Sequence, residues 1–102
     1  MNAKHGLPEN TVAQVVSVLA GFPEIQKAVL FGSRAKGTYK RGSDIDLALI
    51  GDNLDWRTLG KIDSALDDLP VPYRFSLVRF GERIDPEVAA HIQRVGLLFF
   101  QR

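Results

Sequence analysis

The chain has 102 residues, 45% of them hydrophobic, with 13 Lys and Arg against 12 Asp and Glu and no cysteine. A chain of this length buries one small core, so we expect a single domain over residues 1–102. The lack of cysteine excludes a disulfide framework, a cysteine-ligated zinc and a thiol nucleophile. The net charge of +1 argues against a general nucleic-acid binder. No apolar run approaches the roughly 20 residues that span a bilayer, so we expect a cytoplasmic protein without membrane contact.

Hydrophobic spacing along the chain predicts alternating helices and strands. Apolar residues three to four apart indicate amphipathic helices, whereas short apolar or alternating runs indicate strands. The predicted segments are a helix at 10–20, a strand at 28–31, a one-turn helix at 32–37, a strand at 44–50, a helix at 55–69, a strand at 72–80 and a helix from 85 that Gly96 ends. The apolar tail at 97–100 is left open between a continued helix, an added strand and a surface for a partner or a second copy. This order predicts an α+β domain, close to α/β, with a small mixed sheet and helices packed on one face.

A short glycine-containing segment between the first two predicted strands has the features of a phosphate-binding turn. Gly32 allows a ligand to approach the backbone closely, and the amides that follow Ser33 are unpaired donors at the positive end of a helix dipole. We expect Ser33 to cap this turn and Gly37 to end it. A Walker A loop is excluded, because Gly37 is followed by Thr38 and Tyr39 rather than by Lys and Ser or Thr.

Basic residues are concentrated in and just after this turn. Four of the 13 lie within eight positions that contain no acid. They are Arg34, Lys36, Lys40 and Arg41. A block of this kind is either a solvated loop or a contact for an anion, and charge alone leaves both interpretations open.

Two aspartates, Asp44 and Asp46, are separated by one residue on a predicted strand. Side chains at i and i+2 point to the same face, so the two carboxylates are close enough to share a hard divalent cation such as Mg²⁺. Their spacing suits two-metal phosphoryl transfer, in which ions about 3.5–4 Å apart stabilise the attacking and leaving oxygens. Acids at a strand edge are more often only solvated. The rest of this strand is apolar, however, and two neighbouring buried carboxylates repel each other unless a cation lies between them.

The two segments together resemble a known family. The sequence GSRAKG at 32–37, followed by GSDIDLAL at 42–49, is similar to the signature of the minimal nucleotidyltransferases in the DNA polymerase β superfamily. The resemblance implies a single domain with the polymerase β-type nucleotidyltransferase fold that binds NTP, with ATP favoured, together with Mg²⁺ or Mn²⁺. It also implies a helical partner protein of the HEPN class, commonly in a toxin–antitoxin pair.

The resemblance also implies roles for individual residues. Asp44 and Asp46 match the positions that ligate the metals and carry catalysis. Gly32 and Ser33 match the positions that hold the triphosphate, whereas Arg34 and Lys36 are assigned to phosphate or partner contact by charge alone. The residues predicted to bind nucleotide are therefore Gly32, Ser33, Arg34, Lys36 and Ser43.

One position departs from the family pattern. The family carries a third carboxylate on the next strand, and in the matching stretch 72–78 that position is Ser76. A hydroxyl is a poor metal ligand and a poor base, and the loss of a positioned base typically lowers a rate by about 10²–10⁴-fold. The nearest acids downstream are Glu82 and Asp85, which follow the strand in a glycine-containing loop.

The sequence thus leaves two functions open. The first is an enzyme that transfers a nucleoside monophosphate, by preference AMP, from NTP and Mg²⁺ to a hydroxyl of a protein or a small molecule. The second is a catalytically impaired module that binds nucleotide and neutralises a HEPN-type toxin by covering it, and Ser76 is the reason for considering it.

Four further residues have the chemistry of site residues but no supporting motif. His5 lies in a polar N-terminal stretch that we expect to be frayed, and His91 lies inside the last predicted helix, so neither is predicted to form a metal site or a triad. Tyr39 and Trp56 have the aromatic rings needed to stack on a base. Trp56, near a helix start, is more often a core or rim residue, and Tyr39 is kept as a candidate contact for an adenine or for a partner.

Overall fold

Four helices and four strands form the described part of the chain, residues 5–81 and 84–102 of a computed structural model. In chain order they are α1 (Glu9–Ala20), β1 (Lys27–Phe31), α2 (Gly32–Lys36), β2 (Ile45–Ile50), α3 (Trp56–Asp67), β3 (Phe75–Arg79), α4 (Pro86–Val95) and β4 (Leu97–Gln101). Within the described ranges, no helix combines the length and the apolar character needed to cross a membrane.

The strands form one mixed sheet in the order β3-β2-β1-β4. β1 pairs antiparallel with both β2 and β4, whereas β2 and β3 are parallel and are joined by the crossover helix α3. The predicted α+β class with a small mixed sheet is therefore confirmed. Of the alternatives for the apolar tail, the added strand is the correct one.

The main core lies between one face of the sheet and the helices α1 and α3. Alternation along β1 and β2 points every second side chain into it, and these residues have no exposed surface. The fully buried strand residues of this core are Ala28, Leu30, Ile45, Leu47 and Leu49, and those on the two helices are Val15, Leu19, Ile62 and Leu66.

An irregularity in β4 turns two aromatic side chains toward this core. Leu98 pairs with Val29 and Phe100 pairs with Ala28, so that Phe99 is an extra residue in the ladder, as in a β-bulge. Both Phe99 and Phe100 pack against the core, whereas the side chain of Leu98 is 60% exposed. Of residues 98–100 in the tail, only Leu98 is exposed and therefore available for contact with a partner.

The helix α4 packs on the opposite face of the sheet, next to α2. Its start is the predicted one, since Asp85 accepts a hydrogen bond from the Glu87 amide and Pro86 is the first residue. At its end, a Cβ on Gly96 would lie 2.6 Å from Val29 Cγ1, and Val29 points away from the main core. The structure thus adds a helix on the second face to the predicted layer on the first.

Three local predictions differ from the structure. The prediction that Ser33 caps the turn is wrong, because α2 already begins at Gly32 and its N-cap, Phe31, makes no side-chain bond. The third strand begins at Phe75 rather than at 72, where proline has no N–H to donate to a sheet. His5 is not frayed: it is 8% exposed, and its Nδ1 accepts the Leu7 amide at 3.1 Å.

Two glycine substitutions test this packing. Gly96→Ala places a methyl group against Val29 and the Ile92 carbonyl, so we expect it to destabilise the fold by about 1–3 kcal/mol. Gly60→Ala in α3 meets no atom within 4 Å, and it should stabilise the fold by about 0.5–1 kcal/mol because alanine favours the helix. Urea unfolding of both variants measures the two changes. Equal free energies of unfolding for the two variants would contradict the close packing of α4 on β1.

Candidate active site

Both predicted metal ligands lie on the sheet face opposite α1 and α3. Asp44 is exposed and immediately precedes β2, whereas Asp46 is half-buried within it. Asp46 pairs with Phe31 on one neighbouring strand and with Ser76 on the other. Since side chains alternate along a strand, Asp44 and Asp46 share this face. Within the described residues, neither carboxylate receives a hydrogen bond from the protein.

The electrostatic environment of Asp46 is unfavourable for its charge. Burial raises the pKa of the Asp46 carboxyl above its ordinary value, and the neighbouring Asp44 raises it further. His91 and Arg34 act in the opposite direction and only partly offset these effects. A divalent cation held between the two carboxylates would remove both their mutual repulsion and the unsatisfied negative charge.

The start of α2 lies directly against Asp46. Gly32 has a φ of +72°, a left-handed backbone conformation that L side chains rarely adopt. A Cβ built on Gly32 would collide with Oδ2 of Asp46, so the carboxylate touches the glycine backbone itself. The next residue, Ser33, has a hydroxyl that makes no hydrogen bond within the described ranges. The predicted phosphate turn and the predicted metal ligand are thus brought together.

A histidine that no sequence motif identifies also belongs to this cluster. The Gly32 amide donates a hydrogen bond to Nε2 of His91 at 3.2 Å, and the imidazole lies edge-on to the Phe31 ring at 6.1 Å. His91 is on α4, 59 positions from the glycine. No local pattern identifies such a contact, because it depends on α4 packing beside α2.

Arg34 has a different place from the one predicted. Its side chain is 1% exposed; Nε and Nη2 both donate to the Ser43 carbonyl, at 3.1 and 3.0 Å, and Nη1 donates to the His5 carbonyl at 2.9 Å. The guanidinium also lies over the rings of Tyr39 and Tyr73, 5.1 and 5.0 Å from their centroids. Through these contacts the buried Arg34 side chain links α2 to the loop before β2 and to the N-terminal segment.

The other predicted nucleotide-binding residues are divided between the loop and the surface. The Ser43 hydroxyl accepts the Lys40 amide at 2.8 Å, which closes the turn just before Asp44. Lys36 is exposed at the end of α2, and Lys40 and Arg41 are exposed in the loop after it. Ser43 therefore shapes the approach to Asp44, while Lys36 is free to reach an anion from solvent.

The position of the third carboxylate remains without an acid. Ser76 is the register partner of Asp46 on β3 and is exposed. Asp85 is engaged as the N-cap of α4, and Glu82 lies outside the described residues. In the part of the chain that the structure describes, no three acidic or histidine side chains form a group that could hold a metal ion. Among the described residues, the donor set at this site is the Asp44 and Asp46 pair, which fits a cation that takes its other oxygens from phosphate and water.

Of the aromatic candidates for base stacking, one is packed and one is open. Tyr39 covers the Arg34 guanidinium and lies against the Gly6 backbone. Trp56, the first residue of α3, is 82% exposed. The stacking prediction for these two residues stays a prediction, and only Trp56 has its ring available to solvent.

Comparison with known proteins adds the following similarities. The sequence profile described as polymerase β, nucleotidyltransferase, matches residues 13–102. The chain is 39% identical to the protein adenylyltransferase MntA of Shewanella oneidensis over 60% of this chain and 46% of that protein, so it spans less than half of that relative's length. A chain in a crystal structure of a toxin–antitoxin with AMP-PNP is 29% identical in sequence to this chain. The two superpose with a TM-score of 0.63, over 94% of this chain and 75% of that one. A structure of a tri-AMPylated Shewanella oneidensis HEPN toxin in complex with MNT antitoxin contains a chain with the same fold. That chain matches with a TM-score of 0.61 at 23% identity, over 92% of this chain and 72% of that one.

Substitution of Gly32 tests the contact between the turn and the carboxylate. Alanine at 32 or at 37 meets a backbone strain of about 1–2 kcal/mol, because φ is positive at both glycines. Only at 32 does the methyl group collide with Asp46, since nothing lies within 4 Å of a Cβ at 37. We expect Gly32→Ala to weaken calorimetric binding of ATP with Mg²⁺ by about tenfold or more, and Gly37→Ala to leave it nearly unchanged. Equal losses in the two variants would mean that strain alone is responsible.

The raised pKa of Asp46 predicts a pH-dependent gain of stability on its removal. The folded state binds this proton more tightly than the unfolded state, so the stability of the parent falls as pH rises from 3.8 through the folded pKa. Asn does not ionise and avoids this cost. We therefore expect Asp46→Asn to melt above the parent at neutral pH and to lose that advantage below pH 3.8.

Thermal melts across this pH range without metal ions check the expectation, and Asp63→Asn, at an exposed position of α3, is the control. An Asp46→Asn variant that melts below the parent at neutral pH would show that the carboxylate is stabilised by partners rather than strained by burial. Because the same variant loses a predicted metal ligand, we also expect it to lose stabilisation by ATP with Mg²⁺.

Proposed function

This chain belongs to the polymerase β nucleotidyltransferase family, and we propose that it transfers AMP from ATP to a hydroxyl group of a partner protein. The observation that carries the proposal is the contact between the Gly32 backbone and the Asp46 carboxylate. It places a turn suited to phosphate beside a pair of carboxylates suited to a divalent cation. Nucleotidyl transfer requires these two sites to be adjacent.

The chain's own residues divide the work of the reaction. Ser33 and the amides that follow it would hold the phosphates, and Asp44 and Asp46 would hold Mg²⁺ or Mn²⁺ beside them. When bound, the metal would bind phosphate oxygens and stabilise the negative charge that develops during transfer. This arrangement orients the α-phosphate toward an incoming hydroxyl, and such positioning is a large part of phosphoryl-transfer catalysis.

The proposed step is an in-line displacement. The hydroxyl oxygen of the acceptor forms a bond to the α-phosphorus of ATP, and the bond from that phosphorus to the bridging oxygen breaks, which releases pyrophosphate. The hydroxyl proton is lost to solvent or to a carboxylate of the site. With Ser76 next to Asp46, β3 supplies no carboxylate base for this proton.

The similarity to named proteins supports ATP as the donor and a toxin as the acceptor. One relative is a protein adenylyltransferase, and one structural neighbour is a toxin–antitoxin with AMP-PNP. The family resemblance implies a HEPN-class partner, and a domain of this size has little surface of its own for recognising an acceptor. We therefore propose that a helical toxin of the HEPN class supplies the hydroxyl in the reducing cytoplasm.

One observation favours a second candidate, a nucleotide- and toxin-binding module with impaired catalysis. Ser76 is placed across from Asp46 where the family pattern has a carboxylate, and Asp85 is already used as a helix cap. The residues that would hold nucleotide are unaffected by this loss, since they lie on α2, on β2 and in the loop between them. Such a module would neutralise its toxin by covering it.

Restoring the carboxylate separates the two candidates. Incubation with the partner toxin, Mg²⁺ and ATP labelled at the α-phosphate measures transfer directly. We expect Ser76→Asp to label the toxin faster than the parent by about tenfold or more, because it adds a base and a metal ligand beside Asp46. Ser76→Asn has the same shape without the charge and is the matched control.

Labelling by the parent supports the enzyme, whereas toxin binding by the parent with labelling only by Ser76→Asp supports the impaired module. If Ser76→Asp transfers no faster than Ser76→Asn, the explanation based on the missing carboxylate is wrong. If no variant binds ATP, the proposed function itself is wrong.

A further inference from the structure

We propose that His91 is a positioning residue for nucleotide transfer, which fixes the phosphate-binding turn against Asp46 by accepting the Gly32 amide. The inference rests on the proposed function and adds to it a residue from a different part of the chain. The geometry behind it is the 3.2 Å hydrogen bond from the Gly32 amide to Nε2. A backbone amide can only donate, so Nε2 acts as the acceptor and the ring carries its proton on Nδ1.

The imidazole is held from α4 rather than from the turn that it supports. The next residue, Ile92, is 4% exposed and anchors the helix. Four positions further on, Gly96 brings the end of α4 into close contact with Val29 of β1. The ring itself packs edge-on against Phe31, the residue before Gly32. α4 therefore gives Nε2 a fixed position relative to the end of β1.

The contact matters because Gly32 has no side chain that could hold its conformation. Its positive φ and its lack of a Cβ allow the Asp46 carboxylate to lie against the same backbone segment whose amide donates to His91. Glycine is the most flexible residue, so a partner for its amide limits the conformations available to the turn. Without His91 the amide would be left unsatisfied or would turn toward water, and Ser33 would move relative to Asp46.

The same hydrogen bond affects which donors a phosphate can use. Since the Gly32 amide is directed to His91, phosphate would be bound from Ser33 onward. His91 would thus set the position of the phosphate turn without touching the nucleotide. This role differs from that of Asp44 and Asp46, which would contact the nucleotide through the metal.

The test uses three variants of the full-length chain. His91→Leu removes the acceptor and keeps an apolar side chain of similar bulk. His91→Gln places a carbonyl oxygen near the former position of Nε2 and should restore the bond. Gln93→Leu is the control, because Gln93 is exposed on the same helix.

The first measurement is hydrogen exchange of the Gly32 amide, which does not depend on activity. We expect exchange to be about tenfold faster in His91→Leu and close to the parent in the other two variants. The second measurement is transfer of label from ATP, made in the Ser76→Asp background if the parent is slow. We expect kcat to fall about tenfold in His91→Leu with a smaller change in KM for ATP, and to recover in His91→Gln.

Three results would overturn the proposal. Unchanged Gly32 exchange in His91→Leu would mean that the hydrogen bond does not hold the turn. Faster exchange with unchanged kcat and KM would mean that His91 only stabilises the fold. If the parent and Ser76→Asp both fail to bind ATP, the proposed function is wrong and this inference is wrong with it. The second result, in which His91→Leu keeps ATP binding and transfer, overturns this inference alone.

Discussion

The site depends on one close contact, between the backbone of Gly32 and the carboxylate of Asp46. The contact is possible only because residue 32 has no side chain and takes a positive φ. Gly32 directly follows β1 and is the first residue of α2, so the turn begins beside a charged residue of β2. A phosphate on the turn and a cation on the carboxylate would be neighbours, so the proposed phosphate and metal sites are adjacent in the fold.

Charge in this region is balanced at two levels. Asp46 is raised in pKa by burial and by Asp44, and the buried Arg34 works against that rise. Arg34 itself is stabilised by carbonyl oxygens of His5 and Ser43 and by two tyrosine rings rather than by a carboxylate partner. It therefore supplies positive charge near the site while its hydrogen bonds hold the loop before Asp44. The basic block thus has a buried structural member, and its other three members are exposed.

Local pattern predicted most elements and the family, and it failed where distant segments meet. Alternation placed Asp44 and Asp46 on one face, and the two motifs gave the family that the match over residues 13–102 confirms. The tail at 97–100 was left open because an entirely apolar run has no period that separates a strand from a helix. His5, Arg34 and His91 have one feature in common: each has at least one partner 29 or more positions away, which no local pattern identifies. A sequence read in short windows cannot pair them.

The proposed nucleotide-binding residues and the position of the family's third carboxylate lie on different elements of the fold, and this separation makes Ser76 informative. The proposed nucleotide-binding residues lie on α2, on β2 and in the loop between them, and α4 supports them through His91. The position that the family uses for its third carboxylate is on β3, across from Asp46. Replacement of that acid by serine removes one of three negative charges from the site and leaves the turn, the buried arginine and the histidine contact unchanged. Under the proposed function, this substitution would lower the rate of transfer without weakening nucleotide binding, because the two properties would depend on different parts of the fold.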